Sequence, residues 1–159
     1  MLTWDSYPAV YRAELRAAAR EYADHGWPVG DASPAGLVLT TGTTLDVFEV
    51  PAAVGRLVCG QLRAAGLAVP VAATPTGTWW YPVQAGAAVP SNLRGRVVLR
   101  TAGAPVVAPP SETPDGWVHW RVAPALSGYR VPAAAPILAA ISAAIEQYDS
   151  DRIAVAARR

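Results

Sequence analysis

The sequence contains no lysine: its 13 basic residues are all arginine, and they face 12 acidic residues for a net charge of +1. Such a balance excludes a global field that would draw the protein onto a nucleic-acid backbone or an anionic membrane, so any such binding must come from a local patch. Without lysine there can be no Gly-x-x-x-x-Gly-Lys-Ser/Thr phosphate loop, and hence no motor of that kind. Cysteine is almost absent too. The single Cys59 forms no internal disulfide, and with only His25 and His119 available there is no Cys/His cluster spaced for zinc. Cys59 reads as a small buried hydrophobe. No apolar run is long enough to span a bilayer, and Asp5 and Glu14 stand where a signal peptide would carry a basic end and an apolar core. These absences predict a cytoplasmic chain with no membrane partner.

A chain of 159 residues suits one domain, and its punctuation marks the elements. Asp5 or Ser6 offers an N-cap and Pro8 suits a first helical turn; Tyr11, Leu15, Ala18 and Tyr22 then recur at helical spacing until Gly26. A strand over Gly36 to Thr40, a turn at Gly42 and a strand over Thr44 to Val50 follow. From Ala52 to Ala65 the period returns to that of a helix, with Val54, Leu57, Val58 and Leu62 on one face and Gly66 at its end. Short strands are predicted over Val69 to Thr74, Thr78 to Val83, Arg96 to Arg100, Pro105 to Ala108 and Trp117 to Val122. A last helix begins near Pro136, with Ile137, Leu138, Ile141, Ile145 and Tyr148 on one face. The predicted fold is α+β, a mixed or antiparallel sheet packed by helices, with one domain over 1–148. Residues 149–159 form a C-terminal tail, which Ile153 and Val155 could dock.

Two carboxylates stand out, Asp46 and Glu49 in the run Leu45-Asp46-Val47-Phe48-Glu49-Val50-Pro51. At this spacing a regular strand sends them to opposite faces, so they cannot grip one metal together unless a bulge intervenes. The order of motifs around them carries a resemblance. Tyr22-Ala23-Asp24-His25-Gly26-Trp27-Pro28-Val29, the Thr41-Gly42 turn, the acid after Leu45 and Thr74-Pro75-Thr76-Gly77 come first. Val106-Val107-Ala108-Pro109-Pro110-Ser111, then Pro114-Asp115-Gly116-Trp117-Val118-His119-Trp120, complete the series. Together, from about Tyr22 to Pro124, this order resembles the N-terminal domain of bifunctional DNA primase/polymerases, in a shortened and degenerate form. The interval between Pro28 and Thr41 is shorter than the resemblance requires and removes part of the expected nucleotide-binding wall.

The resemblance implies a fold related to RNA-recognition-motif sheets and a two-metal nucleotidyl transfer, for which several carboxylates must converge on one sheet face. Asp46 fits the first acid of the family's Asp-x-Asp/Glu pair, but Phe48 stands two residues on. Trp79 and Trp80 stand where the family has a histidine, and Val98 where it has a further acid. Asp46 is thus left as a vestigial catalytic position and weak metal ligand, with Glu49 one residue out of phase. No cofactor is expected; magnesium or manganese would serve any activity that remains.

Trp79, Trp80 and Tyr81 are candidates for stacking unpaired bases, although alternation sends Trp80 to the face opposite the other two. Arg94, Arg96 and Arg100 form the best basic cluster in the sequence, and strand geometry would point Arg96 and Arg100 the same way. His25 at a helix C-terminus, His119 on a strand and Ser111 in a proline turn read as structural. The preferred functional reading is a stand-alone, degenerate, non-catalytic primase/polymerase-like domain. Its candidate partners are single-stranded nucleic acid or a nucleotide, or else a protein partner or second copy. The alternatives are an active nucleotidyltransferase in which a bulge re-aims Glu49 beside Asp46, and a structural interaction protein without a nucleic-acid role.

Overall fold

The computed structural model describes residues 9–31 and 36–159; the expected cap at Asp5 or Ser6 and the Pro8 turn lie outside them. Helix α1 runs Ala9–Asp24 and ends where Gly26 takes φ +79°. The Gly26 amide then donates to the Ala23 carbonyl and the Trp27 amide to the Tyr22 carbonyl, which satisfies the last turn and lays Trp27 against Tyr22. Helix α2, Ala52–Ala64, closes the same way through Gly66, whose φ is +72°. Helix α3 spans Ala134–Ala157.

Strands β2 (Leu45–Pro51), β3 (Val71–Ala73), β4 (Thr78–Gln84), β5 (Val98–Arg100) and β9 (His119–Val122) form one five-stranded sheet in the order β5-β2-β4-β3-β9, with every pair antiparallel. Outside it, β1 (Val38–Thr40) pairs with β6 (Pro105–Val107), and β7 (Glu112–Thr113) with β8 (Gly116–Trp117). The fold is therefore α+β, as expected. The strand expected over Trp117 to Val122 is divided at Val118, because Trp117 pairs back onto β7 while the residues from His119 onward pair with β3.

Two cores sit on the two sheet faces, as strand alternation requires. On one, Phe48, Val50, Trp79, Tyr81 and Val83 pack against α2 and α3. On the other, Leu45, Val47, Ala72 and Trp80 pack against Leu15 and Tyr22 of α1 and Leu39 of β1. The last helix departs from its expected outline. It runs unbroken through the expected boundary at 148, yet its buried residues end at Ile145. Beyond the core, Ile153 and Val155 are 71% and 52% exposed, so they do not dock the end of the chain onto the domain.

Candidate functional site

Strand β2 pairs with β4 from Leu45 to Pro51 without a register shift, and with β5 from Val47 to Glu49. No bulge turns Glu49 toward Asp46, so the two acids occupy opposite faces. Asp46 belongs to the face of Phe48 and Val50, beneath α2 and α3. It is fully buried, and its Oδ2 accepts the amides of Gly86 and Ala87, each at 3.0 Å, so the carboxylate anchors the loop after β4. Among the described residues its Oδ1 has no hydrogen-bond partner.

Glu49 lies directly across from Trp80 on one side and Val98 on the other. Residues opposite each other in a ladder share a face, so Glu49, Trp80 and Val98 lie together while Phe48 is on the reverse side. Phe48, Trp80 and Val98 therefore do not line one cleft beside Asp46, as the carried-over positions implied. The β2 residues in phase with Trp80 and Val98 are Val47 and Glu49. Glu49 is the acid on this face, and Arg100, 45% exposed, donates from Nε to its Oε2 at 3.3 Å.

A magnesium-type ion needs several converging oxygens. Asp46 offers one free oxygen in a sealed core, Glu49 faces away from it and is already ion-paired, and Val47, Trp80 and Val98 offer none. Among the described residues no group of three His, Cys, Asp or Glu side chains is placed to hold a metal. These donors do not fit a two-metal centre.

The aromatic and basic candidates are also separated. Trp79 is 6% and Trp80 1% exposed, on opposite faces, so neither ring presents a free surface to a base. Arg96 and Arg100 do not point the same way. Arg96 precedes β5, in a turn where its amide bonds to the Leu93 carbonyl, and strand alternation does not apply there. Its guanidinium grips Asp149 of α3 with two bonds, of 2.8 and 3.1 Å, on the helix-covered side. That ion pair holds the Asp149 carboxyl below its ordinary value. Arg94 is exposed.

The motifs that carried the resemblance act as braces. Ser111 is buried; its Oγ donates to the Ala108 carbonyl at 2.7 Å and accepts the Leu37 amide at 2.9 Å. Gly36 is required beside it, since a Cβ there would lie 2.7 Å from the Ser111 hydroxyl. The Tyr22 hydroxyl donates to the Pro109 carbonyl at 2.6 Å and accepts the Trp120 indole N–H at 3.0 Å; burial raises its pKa. His25 stacks on Tyr129 at 3.9 Å, and Trp27, Trp120 and Trp80 continue the ring cluster. Sequence reasoning missed this cluster because its members come from four separate segments. The glycine closing α1 was its one local signal.

An antiparallel sheet covered by two helices on one face, with the ion-paired Glu49 among Val47, Trp80 and Val98 on the other, defines an α+β domain. The chain belongs to the family described as Bifunctional DNA primase/polymerase, N-terminal, which matches residues 4–137. No curated protein and no solved structure matches it.

Proposed function

We propose that this member of the family is a non-catalytic domain that binds a nucleotide or a nucleic-acid strand through its phosphate groups. The observation that carries the reading is the composition of the face around Glu49: Val47, Trp80 and Val98 supply no metal ligand, and Arg100 already neutralises the one acid. Loss of the metal ligands removes the means of activating a primer hydroxyl but not the means of holding phosphates, which needs only cations. A chain whose cations are all arginine suits that task, since the guanidinium fork matches phosphate oxygens in pairs.

Fluorescence anisotropy of an end-labelled single-stranded oligonucleotide, and of a labelled nucleoside triphosphate, tests the binding. Saturable binding that weakens as salt is raised is the expected result, because phosphate contacts release counterions. Flat traces for both probes at low salt would overturn the reading. A second reading, an interaction protein, is favoured by the end of α3, where Ile153 and Val155 are exposed beyond the core. Light scattering across a concentration series would show it as self-association that Ile153→Asp abolishes.

A further inference from the structure

The edge of the sheet farthest from β5 holds a cluster of arginines outside the site described above. Between β3 and β9 the register passes from Val71 opposite Val122 to Ala72 opposite Trp120, which leaves Arg121 as an extra residue on β9. A bulge of this kind lets the strand change which face its side chains meet. Trp120 packs into the aromatic cluster on one face, Val122 packs against the helix-side core, and the Arg121 guanidinium lies 5.1 Å from the centre of the Trp79 ring.

Helix α2 approaches the same ring. A Cβ on Gly55 would stand 2.9 Å from Trp79, so only glycine lets the helix sit this close. The next residue, Arg56, holds its guanidinium 5.6 Å from the ring centre. Arg63, two turns along α2, lines the same hollow of about 190 Å³ with Arg56, Cys59 and Arg121. A second hollow of about 200 Å³ shares Cys59 and Arg63 with it.

Three like charges are thus gathered at one concavity, and among the described residues no carboxylate pairs with Arg56, Arg63 or Arg121. Arg96 and Arg100, by contrast, have theirs. Contact with the Trp79 ring orders two of the guanidiniums without neutralising them, which lowers the entropy lost when they meet a ligand. An anion between them would relieve their mutual repulsion.

We infer that the groove between α2 and β9 is a phosphate-binding site in which Arg56, Arg63 and Arg121 grip phosphate oxygens. The inference rests on the proposed reading of the chain as a phosphate-binding domain and gives that reading its location, on the sheet face opposite Glu49. The shared chemistry is the phosphate group, whether it belongs to a free nucleotide or to a strand.

Cys59 is the only cysteine in the chain and lines both hollows, so its alkylation by iodoacetamide, followed by intact mass, reports on this groove alone. Burial raises its thiol pKa, so the reaction is followed at alkaline pH. Tripolyphosphate, a nucleoside triphosphate and a single-stranded oligonucleotide are compared with sodium chloride at matched ionic strength. A ligand at about ten times its dissociation constant should slow alkylation about tenfold. The triple variant R56Q/R63Q/R121Q should lose that protection and bind the oligonucleotide with a salt slope smaller by about 2, whereas R94Q should behave as wild type.

Protection by tripolyphosphate or the nucleotide but not by the oligonucleotide supports the site and identifies its ligand as a free phosphate compound. Oligonucleotide binding that neither protects Cys59 nor responds to the triple variant overturns the site while the broader reading stands. No binding of any probe overturns both. Because protection is read on the wild-type chain, a folding defect in the variant cannot mask the answer.

Discussion

The two faces of the sheet have the same strands beneath them and opposite chemistry above them. On one, Asp46 lies beneath α2 and α3 with its carboxylate spent on the Gly86 and Ala87 amides. On the other, Glu49 reaches solvent beside Val98 and Arg100. The difference teaches that a buried loop anchor and a partly exposed, ion-paired acid can stand three residues apart in one strand and be confused from spacing alone. What separates them is the phase of the neighbouring strands: Glu49 is level with Trp80 and Val98, and Asp46 is not.

The sharpest way to break this comparison is to remove Trp80. As a core residue 1% exposed, Trp80→Ala should cost about 3–5 kcal/mol, seen as a lower urea midpoint at unchanged slope. An exposed stacking platform would lose far less stability. On the helix face, Gly55→Val should force α2 off Trp79 and cost about 2–3 kcal/mol, a fall in Tm of about 5–10 °C. A neutral result would contradict the close seating of that helix.

Asp46→Ala should cost about 1–3 kcal/mol and speed hydrogen exchange at Gly86 and Ala87, while Asp46→Asn, whose amide oxygen still accepts, should retain most of the protection. Equal damage from both variants would argue against a loop anchor. Glu49→Gln should stay within about 0.5 kcal/mol of wild type, because its ion pair with Arg100 is partly exposed. The smallest effect concerns pH. Asp149 is depressed by Arg96, so its contribution is present above the ordinary carboxyl value of 3.8 and is lost as pH falls through the lower folded value. Acid titration of Asp149→Asn should show a slightly shallower loss of stability over that window.

Much of the fold was legible because it rests on local rules. Gly26 and Gly66 marked the ends of α1 and α2, and the alternation of β2 and β4 placed Trp79 and Trp80 on opposite faces before any contact was known. The site was less legible, since its phase depends on pairing across strands. Counting from Asp46 made Phe48 its partner position, whereas the ladder puts Val47 and Glu49 on the face of Trp80 and Val98. The arginine groove was hidden for a similar reason. The spacing of Arg56 and Arg63 fits one helix face, but the bulge that sends Arg121 toward them arises from the pairing of β3 with β9. Arg94, Arg96 and Arg100 are close in sequence, yet a turn before β5 sends Arg96 to Asp149 and leaves Arg100 with Glu49.

The central claim of the proposed function is that the face around Glu49 does not support nucleotidyl transfer. Extension of a primed template with all four nucleoside triphosphates, in magnesium and separately in manganese, tests it most directly when wild type and Glu49→Gln are run side by side. The account predicts no extended product from either protein. A template-directed product from the wild type that disappears in Glu49→Gln would contradict it.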